Sequence, residues 1–304
     1  MFSYTEEIHK IYPVRKSAKE KRDFRKYLAD NLRRMGYETH EEQGGSAVNV
    51  VAGDPRVATY LVTANYDTPS AAILPAFASA TNVPLYVLWQ AVAAAIMMVL
   101  CFAVSIGVSF ALSAPGLAFP LFCMLSALVI VLARYGPASG KNANVNTSGL
   151  GTVLDIARDL PKEARDKVAF VFFDQGESGM GGSAAYRKAH KGEVNEQVVF
   201  HFYAVGEGDE ILLLPSNRQR WDGDTSAALE KAIEPLEGKR LQVIEKGLVF
   251  YPSDQRKFRF SYLVGAFRKN PVLGYYRFRR VNDNVSDGAN AEMLRRGFIK
   301  FFEE

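Results

Sequence analysis

The chain has 304 residues, enough for one large α/β domain or a domain with an appendage, and its 37 Lys and Arg against 33 Asp and Glu give a formal net charge of +4. That excess is far short of the dense basic loading of a dedicated nucleic-acid binder, so no nucleic acid is expected as a partner. Two cysteines exclude a disulfide framework and a Cys-rich zinc site.

In chain order, residues 1–24 are charged and lack the apolar core of a secretory signal, so none is expected there. Ser17 followed by Phe24, Tyr27, Leu28, Leu32 and Met35 on one face predicts a helix over 17–37. The runs 47–53 and 58–64 read as strands paired through Gly53-Asp54-Pro55.

The strongest signal follows: between Asp67 and Arg134 there is no Asp, Glu, Lys or Arg. About 20 apolar residues cross the ~30 Å of a bilayer as a helix. The runs 85–112 and 116–133, separated by Ser113-Ala114-Pro115-Gly116, therefore predict a transmembrane helical hairpin at 84–134, with the lipid bilayer as its partner. Cys101 and Cys123 both lie inside it. Arg134 and Lys141 at its exit, and Lys and Arg elsewhere, place the rest of an integral membrane protein on the cytoplasmic side.

Beyond the hairpin, Thr147 or Ser148 is expected to cap a helix ended by Pro161, followed by a strand at 167–174. A Gly-rich turn then leads into a helix from Ala184 to about His190. Further strands are expected at 197–205, 210–215 and 260–267, with helices at 224–236 and 290–304. This alternation predicts an α/β fold with a mostly parallel central sheet and helices on both faces, formed by 1–83 and 135–304 as one discontinuous domain. Ligand sites in such sheets lie at carboxyl strand ends, which places 63–67, 172–178 and 202–209 together. The turn 174–183 lacks the Lys-Ser/Thr of a phosphate-binding loop. Residues 256–280 interleave Arg and Lys with Phe and Tyr, the pattern either of a surface for anionic headgroups or of a strand with one wet face.

Six stretches at these positions, "TANYDT", "NANVNTSG", "FVFFDQGESGMGGS", "VVFHFYAVGEGD", "YPSDQRKF" and "VNDNVSDGANAEML", fall in the order of a known family. Together they resemble the M28 zinc-dependent exopeptidases, in the branch carrying membrane segments between the first and second metal motifs. The resemblance implies the aminopeptidase-like fold and a chemistry of two zinc ions with a Glu as general base.

It also assigns positions, and most are altered. The His of the first motif is Asn65, with its orienting Asp67 kept; the bridging Asp is Val145, beside a kept Asn146. The general base is Gly176, and the next ligand, Glu177, is kept. Tyr203 stands for the fourth ligand and Val281 for the last His, with Arg279 or Asn282 if the register shifts. Asp209, Ser253 and Asp254 are further retained polar residues.

Val cannot coordinate a metal, and neutral Asn and Tyr are poor zinc donors. The resemblance therefore implies a membrane-anchored pseudopeptidase acting as a binding or scaffold protein for a peptide or protein in the former cleft. No cofactor is expected, and Glu177 and Asp67 are the residual metal candidates. The alternative is an active M28-type hydrolase with an altered zinc site.

Overall fold

The computed structural model describes residues 3–71, 76–221, 223–279 and 283–304. Helix α1 (Tyr4–Ile11), which the sequence pattern did not predict, precedes α2 (Ala18–Arg34). The latter starts where expected. The Ser17 hydroxyl accepts from the Glu20 amide, and the Glu20 carboxylate accepts from the Ser17 amide. This reciprocal cap satisfies two donors that a helix start leaves open.

Among the described residues, ten strands form one mixed sheet. Its centre is parallel: β3 (Tyr60–Asn65) lies between β5 (Val168–Phe173) and β6 (Val198–Phe202), with β9 (Phe260–Asn270) beyond β6. Its flanks are antiparallel. On one side β1 (Thr39–Gly44) pairs with β2 (Ala47–Ala52), and β2 with β5. On the other, β7 (Glu210–Pro215) runs against β9 and carries β8 (Arg240–Val243). The far end of β9 pairs with β10 (Gly274–Arg279), whose other neighbour is β4 (Ala76–Ser79).

Alternation along the strands divides the core between the two faces. Val62, Phe170, Phe172, Phe200 and Phe202 pack with residues of α1, α2, α5 (Gly149–Asp159) and α8 (Gly288–Glu303). Leu61, Val171, Phe173 and Val199 pack on the opposite face with Tyr186 of α6 (Gly181–Ala189).

Three local expectations are corrected. β2 and β3 do not pair, because β5 lies between them; a strand with all six residues buried takes a neighbour on each side. α6 begins at Gly181, ahead of the Ala184 start expected. α7 (Gly223–Ala232) stops short of 236, since Pro235 disfavours helical backbone at Glu234.

Helix α3 (Val83–Ala111) and α4 (Ala118–Tyr135) form the hairpin, joined through a 3-10 turn at Pro115–Leu117, and both are long and apolar enough to cross a membrane. In α3 only Cys101, Ser105 and Ser109 are buried, four residues apart. Such small side chains let two helix backbones approach closely. The linkers to the hairpin are joined to each other: the Ala71 amide donates to the Pro137 carbonyl at 2.8 Å and the Ser139 amide to the Pro69 carbonyl at 3.1 Å. The chain returning from α4 thus rejoins the domain beside the segment that follows β3, while α3 starts shortly after β4.

Candidate functional site at the carboxyl ends of the central strands

The parallel register sets Asn65 beside Phe173, and Ala64 beside Phe202, so the segments leaving β3, β5 and β6 emerge side by side. Asp67, buried, receives the Gly176 amide on Oδ1 at 3.0 Å and the Glu177 amide on Oδ2 at 3.3 Å. Asn146 Nδ2 donates to the Asp67 carbonyl at 2.5 Å. The Tyr203 hydroxyl donates to Glu177 Oε1 at 3.0 Å. Asn65 Nδ2 donates to Asp254 Oδ2 at 2.8 Å, and the Ser183 hydroxyl donates to Asp254 Oδ1.

The structure brings Asn65, Asp67, Asn146, Gly176, Glu177, Tyr203 and Asp254 together. Ser253 is buried beside Asp254 and donates to the Gln255 side-chain carbonyl. Asp209 is not drawn in: its carboxylate is 70 % exposed and pairs with Lys239. Val281 and Asn282 lie outside the described residues, and Arg279 contributes the last residue of β10.

Val145 lies in a π-helical turn, Ala143–Ser148, that runs straight into α5. Neither Thr147 nor Ser148 caps that helix. The Asp283 carboxylate takes the Val145 amide at 2.8 Å, a role no sequence pattern announced, because the two residues are far apart in the chain. Ser148 instead accepts the Val205 amide at 2.9 Å, and Thr147 receives Arg15 Nη2 at 3.1 Å. Arg15, fully buried, also donates to the Tyr66 and Tyr12 carbonyls and ties the back of the site together. Its position in a charged amino-terminal stretch gave no sign of this.

Burial, reinforced by the charges of Glu177, Asp174 and Asp254, pushes the Asp67 carboxyl up to about 8. Backbone strain gathers here too. Gln175 and Ala204, at φ 56° and 51°, are left-handed non-glycine residues immediately before Gly176 and after Tyr203. Such conformations cost about 1–3 kcal/mol each and persist only where surrounding structure holds them.

Gly176 is the tightest point. A Cβ there would lie 2.1–2.6 Å from the side-chain atoms of Asn65. Asn65, fixed by Asp254, thus fills the space that any side chain at 176 would need. The loop has one further tether, since Arg134 at the end of α4 donates to the Ser178 carbonyl at 2.7 Å.

His201 lies on β6 beside this group, with Nδ1 3.0 Å from Thr63 Oγ1 and Nε2 3.9 Å from Asp254. Burial pushes its pKa down, with Asp254 opposing. Among the described residues, no three His, Cys, Asp or Glu side chains are grouped to hold a metal ion. The donors at the family positions do not fit two zinc ions. Asn65 turns its amide N–H to a carboxylate, Val145 has no donor atom, and the Tyr203 hydroxyl donates its hydrogen to Glu177.

Several solved structures share the fold. A Zn-dependent exopeptidase from Parabacteroides distasonis superposes with a TM-score of 0.61 at 13% identity, covering 98% of this chain and 95% of that one. Porphyromonas gingivalis glutaminyl cyclase gives 0.59 at 14% identity, covering 99% and 95%. The Legionella pneumophila LapA aminopeptidase gives 0.56 at 11% identity, covering 98% and 69%. No curated protein matches in sequence. The sequence model of peptidase family M28, however, matches residues 132–291, from the end of α4 through the Gly176-Glu177 turn into α8, and the chain belongs to that family.

Proposed function

We propose that the chain is a membrane-anchored M28 protein that has given up zinc hydrolysis and works by binding a peptide or protein segment at the former active site. The observation that carries this is the Gly176–Asn65 contact. The position of the family's general base has no side chain, and the amide at its first ligand position occupies the vacated space while bonded to Asp254. Removing metals from a carboxylate-rich site leaves unpaired charge that burial makes costly. The changes relieve it: Val145 removes one carboxylate, Tyr203 replaces another and donates to Glu177, and Asn65 donates to Asp254. The α/β domain faces the cytoplasm, and α3 and α4 cross the bilayer.

The tests are metal analysis and peptidase assay of the purified full-length protein. Sub-stoichiometric zinc and no release of amino-terminal residues from aminoacyl substrates are expected. Stoichiometric zinc, with hydrolysis abolished by Glu177→Gln, would instead establish an active hydrolase with an altered metal site. Retention in the membrane pellet after an alkaline carbonate wash is expected of the anchored chain, and release into the supernatant refutes the anchor.

A further inference from the structure

A cavity of about 290 Å³ lies between the end of β7 and the 249–259 segment, and its lining includes Arg218, Arg220, Arg256 and Arg259. No Asp or Glu lines it, and none of the four arginines pairs with a carboxylate among the described residues. Among the described residues Arg220 is held by one bond, from Nη1 to the Gly247 carbonyl at 3.1 Å, while its buried Nε has no partner there. An unpartnered buried N–H on a charged group is costly. Guanidinium forks in such a setting suit a phosphate, which accepts two parallel N–H bonds.

The cavity wall adjoins the start of α3. The Arg256 guanidinium stacks on Phe250 at 4.3 Å, and Phe250 packs on Tyr86 in the first turn of α3 at 6.0 Å between ring centres. The Phe250 amide donates to the Ala80 carbonyl at 3.0 Å, just before that helix. Two apolar side chains project beside the same entry point: Leu248, 67 % exposed, two residues before Phe250, and Val272, 73 % exposed, whose carbonyl receives Asn82 at the α3 cap. Apolar tips flanking a basic cavity at a helix entry are the arrangement of a surface seated at the headgroup level of a bilayer.

We infer that this cavity binds the phosphate of an anionic phospholipid of the leaflet that α3 enters. The inference rests on the membrane-anchored reading above. A lipid held there would fix the depth of the domain against the bilayer and hold the 244–250 segment against α3. The same phosphate chemistry could be met from solution, and position decides for lipid: Arg256 reaches the first turn of α3 through Phe250, at the level where headgroup phosphates are concentrated.

The test uses the full-length protein in detergent micelles, titrated with phosphatidylglycerol, phosphatidylcholine or inorganic phosphate and read by native mass spectrometry. Saturable binding of phosphatidylglycerol in preference to phosphatidylcholine is expected, unaffected by inorganic phosphate. Arg220→Gln with Arg256→Gln should weaken it about 25-fold, from about fivefold for each basic group near an anionic surface. Arg220→Lys with Arg256→Lys keeps the charge and removes the fork, so a smaller loss at unchanged melting temperature is expected.

Equal binding of the two lipids overturns the inference, as does an equal loss from the remote pair Lys19→Gln and Arg22→Gln. Displacement by inorganic phosphate assigns the cavity to a soluble ligand and overturns the lipid. Failure of this inference is separable from failure of the anchor: a chain that resists the carbonate wash yet shows no lipid preference refutes the cavity alone.

Discussion

Gly176→Ala tests the central contact of the site. The new methyl group would meet Asn65 at 2.1–2.6 Å, so the Asn65 amide must swing away from Asp254. The loss is then that of a buried hydrogen bond to a charged acceptor, about 1.5–3 kcal/mol. For a domain of this size each kcal/mol lowers the melting temperature by about 2–4 °C, so a drop of roughly 3–12 °C is expected for the full-length protein in detergent. Asn65→Ala removes the same bond directly and should cost a similar amount. Because both changes break one interaction, the double variant should lose less than the sum of the two by about that same 1.5–3 kcal/mol. Additive losses, or a Gly176→Ala variant that melts with wild type, would refute the claim that Asn65 occupies the space of a side chain at 176.

Three further outcomes are expected. Arg134→Ala should remove about 0.5–1.5 kcal/mol of restraint on the 175–180 loop, seen as faster hydrogen exchange there with the core unchanged. Arg15→Met leaves the Tyr12 and Tyr66 carbonyls and Thr147 without their donor, and roughly 3 kcal/mol or more of stability should go, read as a fall in melting temperature of about 6 °C or more. Burial raises the Asp155 carboxyl from its ordinary 3.8 to about 6, against the attraction of Arg158. A folded pKa above the unfolded one means that the folded state binds more protons between about pH 4 and 6, so this group withdraws stability as pH rises through that window. The melting temperature of Asp155→Asn minus that of wild type should therefore rise from pH 4 to 6 and level off above, and a flat difference would count against the assignment.

Much of this was legible in the sequence because it rests on local periodicity. The helix start at Ser17, the buried run of β5 and the charge-free hairpin are each written within a few dozen neighbouring residues. The grouping of Asn65, Asp67, Glu177 and Tyr203 was legible for a related reason, since parallel strands put their carboxyl ends on one edge. The hidden parts depend on partners distant in the chain. Strand β4 is four residues long and gains its identity only by pairing with β10, and the polar run of β1 reads as a loop until β2 lies beside it. Asp283 and Arg15 take their roles from backbone groups that no spacing rule connects to them.

The short strand β4 also bears on how a soluble form could be made. The Ala71–Pro137 hydrogen bond suggests a tempting splice that deletes everything between them. That deletion would take β4 with it and strip β10 of its outer neighbour along Tyr276–Arg279, leaving Phe278 without its partner Phe77 on an open row of backbone donors and acceptors. An edge of that kind recruits strands from other molecules. A truncation that keeps residues 76–80 and closes the gap beyond them would leave the sheet edge covered, and would be the version to crystallise.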